Sequence, residues 1–332
     1  MEKIVLYPTC MILSVAGAWI MGKSALKLGF VDRPNDRSSH AIPTPKGGGI
    51  GILAAFIVSS LVLRIPLSFW LSATILALAS FYGDRFPISP KFRLPIQFIA
   101  ALVLVSPVLF SNSLSSLYPL PALCLLPLSV FIVGTANFFN FMDGINGIAG
   151  ITGVVGFWLI ACFAFCSGID SSFVSLAICM SLSCLAFLPF NVPRGRVFMG
   201  DVGSILLGFL FAGMVIWLSG SLLDFICLSA FLFPFYADEL TSMAIRIRDG
   251  ERLIRPHRRH LYQLLANEKG ISHWKVSVGY GLLQLVAGLS ILLLRHFGSV
   301  MVLSLLAAYF GAFIVVSSSI RKNLVTSASM IH

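Results

Sequence analysis

The feature that most constrains this chain is an alternation, kept up over its whole length, between apolar runs long enough to cross a bilayer and short gaps that hold nearly all its charge. A span takes roughly 20 apolar residues. Such runs lie near residues 4–21, 49–63, 67–82, 94–110, 120–138, 148–166, 172–189, 203–219, 222–243, 276–294 and 298–318. In lipid each must satisfy its own backbone polar groups, which a helix does and an open strand does not. The expected fold is therefore an all-α polytopic integral membrane protein of about eleven transmembrane helices, forming one multispanning domain over residues 1–332. Only 11% of residues are charged and 58% are hydrophobic, against about 25% charge in a soluble domain. A soluble globular enzyme and a disordered chain are both excluded.

The formal charge of +10 would point to nucleic acid on a soluble surface, but in a membrane protein Lys and Arg mark cytoplasmic loops, and no nucleic-acid partner is expected. With the N-terminus outside and the C-terminus cytoplasmic, the inner loops hold nearly all 23 basic residues, leaving Lys3, Arg64 and Arg295 outside. Adding or removing one span would scramble that split. Residues 3–18 could mimic a secretory signal, with Lys3 before an apolar run and Ala16-Gly17-Ala18 as a cleavage site. Cleavage would leave the basic stretch Lys23 to Lys46 outside, so a retained first span is expected. The seven cysteines fall in apolar runs with no C-x-x-C pair, and read as small packing residues.

Ionisable groups near apolar sequence are costly and usually have a task. Asp84, Asp143, Asp201 and the pair Asp238/Glu239 all fall at inner ends of spans. Separate carboxylates meeting at one membrane face suggest a divalent-cation site, since magnesium takes one or two carboxylates and completes its shell with water and phosphate oxygens. Asn137, Asn140, Asp143 and Asn146 recur every third residue and would share one face of a continuing helix; helix capping is the plainer reading of the same residues. Arg194 and Arg196, with Phe198 and Asp201, form a short loop that opens a helix. Guanidinium groups and a helix N-terminus both suit phosphate, although a basic inner loop needs no such purpose. Pro256 suits a helix start, which would put His257 and His260 on one face beside Arg258 and Arg259 as a diphosphate-gripping element. Zinc would need more ligands than that stretch supplies. Gly47 to Gly51 is not a P-loop, because no Gly-Lys-Ser/Thr follows. His40, His273, His296 and His332 carry no assignment.

Three stretches, taken together, carry a resemblance: Asn140-x-x-Asp143-Gly144, then Val197-Phe198-Met199-Gly200-Asp201-x-Gly203-Ser204, and Asp32-Arg33-Pro34…Arg37…His40…Pro43-Thr44-Pro45-Lys46-Gly47-Gly48-Gly49. In this order they resemble the polyprenyl-phosphate N-acetylhexosamine-1-phosphate transferases, the glycosyltransferase 4 family. The resemblance implies a bacterial inner-membrane enzyme, active on the cytoplasmic face, that moves sugar-1-phosphate from a UDP-N-acetylsugar to undecaprenyl phosphate and releases UMP. Carried over residue by residue, Asp201 would lead in binding magnesium, or manganese in its place, with Asp143 beside it at the diphosphate. Asp84, Asp143 and Asp201 would be the catalytic carboxylates. Asn140 and Asn191 would contact the nucleotide, Phe198 would stack near the uracil, Lys46 would stand where the family has a basic residue, and His257 and His260 match its histidine-rich last inner loop; Asn146, Arg194, Arg196 and Arg258 are further expected substrate-binding residues. The His257 to Gln263 form is similar to enzymes that start O-antigen chains, in lipopolysaccharide biosynthesis, with N-acetylfucosamine or N-acetylquinovosamine; N-acetylglucosamine is the runner-up. A homodimer is left open.

Two positions depart from the family pattern. Gly83 stands where the first of two adjacent aspartates is usual, and Asn146 replaces the second aspartate of a D-G-x-D-G pattern, keeping hydrogen-bonding capacity without charge. An acceptor phosphate, largely dianionic at pH 7, needs no strong base, so direct in-line attack is expected rather than an aspartyl intermediate. An inactive relative and a lipid or sugar transporter are the rival readings. A transporter would carry its polar groups at the bilayer midplane, often in two repeated halves, whereas these acids gather at one interface and the sequence shows no internal repeat.

Overall fold

The computed structural model describes residues 2–34, 39–40, 42–86, 88–110, 121–169, 171–252 and 258–329. The apolar runs are helices: α1 (Glu2–Leu28), α2 (Ile50–Val62), α3 (Leu67–Arg85), α4 (Pro90–Phe110), α5 (Pro121–Met142), α6 (Ile148–Cys166), α7 (Ser171–Asn191), α8 (Asp201–Leu218), α9 (Leu222–Ala230), α10 (Phe233–Arg248), the single turn α11 (Leu261–Gln263), α12 (His273–Leu294) and α13 (Ser299–Ser329). By length and composition, 8 helices among the described residues can cross a membrane. The chain is an all-α polytopic membrane protein. The one strand pair among the described residues, Val31–Asp32 against Thr44–Pro45, is two residues long on each side and folds the α1–α2 connection back on itself.

Helix α8 is the axis of the bundle. Most of its residues are buried, and it packs against α3 and α5, with α2, α4 and α6 also touching it. Close approach is built from glycine: a Cβ on Gly49 would come within 2.5 Å of the Gly203 Cα, so α2 and α8 meet backbone to backbone at their N-terminal ends. Buried hydroxyls satisfy themselves on carbonyls, as Ser14 of α1 does by donating to Ser183 of α7 at 2.7 Å. The outer face is left apolar, with α13 the most exposed of the candidate spans.

One expected span is corrected. The run 222–243 is not a single helix but breaks at Phe231–Leu232 into α9 and α10. Pro234 stands in the first turn of α10, where its missing N–H costs nothing. Gln284 of α12 donates to the Phe231 carbonyl at the break, at 2.8 Å, which is how a broken helix is tolerated inside a membrane protein.

Candidate active site

The described residues of the connections α1–α2, α3–α4, α5–α6, α7–α8 and α10–α12 gather on one side of the bundle, as up-and-down alternation requires. Four of them, with the helix ends beside them, wall a cavity of about 330 Å³; the connection between α3 and α4 lends it no residue. Lys46, Asp84, Asn140, Asp143, Asn146, Asn191, Phe198 and Asp201 all line it. These eight expected residues arrive from four segments separated by whole spans.

The floor is a backbone weave. Phe198 N–H donates to the Pro45 carbonyl at 2.8 Å, and Gly48 and Gly49 donate to the carbonyls of Phe198 and Met199 at 3.0 and 2.9 Å. Gly200, at φ +77°, turns the chain into α8. A Cβ there would lie 2.7 Å from Asp84 Oδ2 and 2.9 Å from the Gly47 nitrogen, so both conformation and space demand glycine.

Asp84 reaches from the end of α3 to the start of α8. Its two oxygens accept from the N–H groups of Asp201 and Val202 at 3.1 and 3.2 Å, and Lys46 Nζ lies 3.6 Å from Oδ1. The carboxylate thus satisfies two N–H groups that a helix start leaves open and meets the positive end of the α8 dipole. Asp201 is held on both sides: Asn140 Nδ2 donates to Oδ1 at 2.9 Å, and Arg93 of α4 pairs with Oδ2. Asn140 also donates to Ser204 at 2.8 Å.

Asp143 is half-buried in the cavity wall. Burial, then the neighbouring Asp201 and Asp84 carboxylates, push its pKa well above the ordinary carboxylate range. Asn191 bridges two loops, accepting from Gly147 N–H at 2.6 Å and donating to the Val197 carbonyl at 2.9 Å. Asn146 Nδ2 donates to Pro193 O at 3.2 Å.

The four-residue face expected of a continuing helix does not form. Helix α5 ends at Met142, so Asp143 and Asn146 sit in the turn before α6, and Asn137 is spent on Gln97 and its own α5 backbone. The stretch is a turn, and Gly147, at φ +91°, leads into α6 without a side-chain cap. Arg194 and Arg196 are exposed and outside the cavity wall, as an ordinary basic inner loop would be. Arg258 is not in the wall either, and His257 lies outside the described residues. His260 precedes α11 and is buried, its Nδ1 3.3 Å from Glu239. Burial, the largest influence, lowers its pKa, with nearby Asp238 opposing. Phe198 packs edge-on against His40, ring centres 4.9 Å apart.

The wall also contains Asp32, Ser39, His40, Gln263 and His273, which the sequence left unassigned. Arg93 was visible only as one more inner-loop charge. Of the two departures, Asn146 is in the wall and Gly83 is not; a Cβ on Gly83 would meet Ile88 at 3.7 Å.

Residues 66–219 match the family described as Glycosyl transferase family 4. The undecaprenyl-phosphate alpha-N-acetylglucosaminyl 1-phosphate transferase of Salmonella typhi is 31% identical over 265 residues, spanning 73% of this chain and 71% of that protein. The chain belongs to glycosyl transferase family 4. Two further relatives are similar at about that level across most of their length. The enzyme of the same name from Haemophilus influenzae is 31% identical over 270 residues, 74% of each chain. A decaprenyl-phosphate N-acetylglucosaminephosphotransferase of Mycobacterium leprae is 29% identical over 320 residues, covering 81% of this chain and 77% of the relative. The family 4 match spans the segments that supply Asp84, Asn140, Asp143, Asn191 and Asp201, and the family assignment makes the protein a transferase. Lys46 and Gln263 reach the same cavity from outside the matched stretch.

Proposed function

We propose that this transferase moves an N-acetylated sugar-1-phosphate from a UDP-sugar to undecaprenyl phosphate at the cytoplasmic face of a bacterial inner membrane, releasing UMP and starting an O-antigen or other envelope glycan. The observation that carries the reading is the convergence of Lys46, Asp84, Asn140, Asp143 and Asp201 on one cavity at the loop-rich end of the bundle. The basic residues crowd the loops at that end, which supports its cytoplasmic placement. A soluble nucleotide sugar and a lipid phosphate can meet only at such an interface.

The donor set fits a hard divalent cation. Four carboxylates (Asp32, Asp84, Asp143, Asp201) line the cavity with carboxamides, no thiol is among the lining residues described, and Lys46 and Arg93 are cations paired with Asp84 and Asp201. Among the described residues no group of three or more His, Cys, Asp or Glu side chains forms a ready metal cage. Magnesium needs no such cage, because one or two carboxylates suffice when water and phosphate complete the shell. Asp201 and Asp143 are the proposed ligands, and the ion would neutralise phosphate charge and orient the diphosphate. The protein's own part is positioning: Asp84 and Asn140 hold Asp201, Asn191 ties the Gly147 turn to the Val197 strand of the weave, and Lys46 brings a positive charge to the cavity. In-line attack by the acceptor phosphate then needs little beyond placement and charge neutralisation.

The names of the relatives make UDP-N-acetylglucosamine the first donor to test. The His257 to Gln263 form carries the second reading, a 6-deoxy donor such as UDP-N-acetylfucosamine or UDP-N-acetylquinovosamine. Purified protein in nanodiscs, given undecaprenyl phosphate, magnesium and each donor in turn, should release UMP with one donor preferred and should stop when the cation is chelated. Donor-dependent uptake of sugar into vesicles without UMP release would instead favour a transporter.

A further inference from the structure

Beyond the cavity, a second buried carboxylate repeats what Asp84 does for α8. Asp238 of α10 is fully buried, and its oxygens accept from the N–H groups of Leu261 and Tyr262 at 2.7 and 3.2 Å, the opening of α11. Tyr280 of α12 donates to the same carboxylate at 2.7 Å, and Ser242 at 3.2 Å. No expected site residue explains this investment, because Asp238 lies outside the cavity wall.

Its consequence lies one residue further on. Tyr262 is fully buried and donates its hydroxyl to the Phe141 carbonyl at 3.0 Å. The same hydroxyl stands where a Cβ on Gly144 would fall, 2.2 Å away, so the ring is wedged against the turn that carries Asp143. Gln263, next in sequence, is itself part of the cavity wall and accepts from His260 N–H at 3.3 Å. The chain of contacts therefore runs from Asp238 to the α11 turn, from Tyr262 to Phe141–Gly144, and so to Asp143. Arg321 of α13 clamps the approach to this turn, donating to the Arg259 carbonyl at 2.7 Å.

We propose that Asp238 is a positioning residue for the transfer site: by capping α11 it fixes Tyr262 against the Phe141–Gly144 turn and so sets the place of Asp143 and Gln263 in the cavity. A neutral carboxamide is a poor substitute. It keeps one acceptor for Leu261 but turns an NH₂ toward the Tyr262 N–H, setting donor against donor.

Hydrogen–deuterium exchange of the full chain in nanodiscs, wild type against Asp238→Asn and Tyr280→Phe, tests this without relying on activity. In Asp238→Asn the amides of 261–262 should exchange at least tenfold faster, and the loss of protection should spread to 141–147 while 201–204 stay unchanged. Tyr280→Phe, which removes one bond to the carboxylate and leaves the cap, should show the same pattern more weakly and keeps the test open if Asp238→Asn does not fold. Unchanged exchange at 141–147 in both variants would overturn the proposal. Its kinetic part rests on the transferase reading: per folded enzyme, the KM for the UDP-sugar should rise about tenfold in Asp238→Asn, with the KM for undecaprenyl phosphate within twofold of wild type. A wild-type protein that releases no UMP would count against the reading of function, whereas an active wild type with unchanged constants in the variant would count against the role of Asp238.

Discussion

At the scale of single residues, the carboxylates around the cavity divide by what their oxygens already hold. Asp84 is committed to the α8 backbone, whereas Asp143 has burial and two like charges against it. Asp84→Ala should lower unfolding stability by about 1–3 kcal/mol through two uncapped N–H groups, and Asp84→Asn by less, as read from unfolding in detergent. For Asp143 the cost of charge decides. Its raised pKa means that the folded chain holds the proton more tightly, so stability is lost as pH climbs from the ordinary carboxylate range through the raised value. Asp143→Asn should therefore make the metal-free protein more stable at pH 8, with the gain fading as pH falls toward about 4. A thermal scan across pH that shows no such dependence would contradict this electrostatic account. The sequence named these carboxylates but not their duties, because a cap is defined by a partner more than a hundred residues away.

At the scale of elements, helix packing depends on backbone contact between α2 and α8. Gly203→Ala would set a methyl group 2.3 Å from the Met199 side chain of its own segment and 3.0 Å from the Gly49 Cα at the start of α2, and Gly49→Ala would set one 2.5 Å from the Gly203 Cα. Each should cost about 2 kcal/mol or more, or prevent folding, while Gly134→Ala, which meets nothing within 4 Å, should be silent. Monodispersity and thermal unfolding of the three variants give the comparison. The helices themselves were legible as apolar runs, since a bilayer leaves the backbone few alternatives. The break at Phe231–Leu232 was not, because hydropathy continues through it and only Pro234 marks it. The three-residue recurrence from Asn137 to Asn146 misled for a related reason: spacing cannot show where a helix stops, and here α5 stops at Met142.

At the scale of the whole molecule, even-numbered and odd-numbered connections must lie on opposite sides, so one cavity built from four connections and the helix ends beside them fixes the side on which chemistry occurs. The charge asymmetry had already pointed to that side, whereas Arg93, Gln263 and His273 became visible as cavity neighbours only once the helices were packed. In a Cys166→Ser background, Arg64→Cys should react with an impermeant maleimide on intact spheroplasts, and Arg194→Cys only after permeabilisation; the reverse pattern would invert the topology. The central claim, that the Asp201 cavity transfers sugar phosphate to a lipid, is met most directly by one assay: UMP release from a panel of UDP-N-acetylsugars by nanodisc-embedded wild type and Asp201→Ala, with undecaprenyl phosphate and magnesium. Cation-dependent release by the wild type, lowered at least about 100-fold in the variant, is the predicted result. Equal release by the two proteins, or none by a folded wild type with any donor, would contradict it.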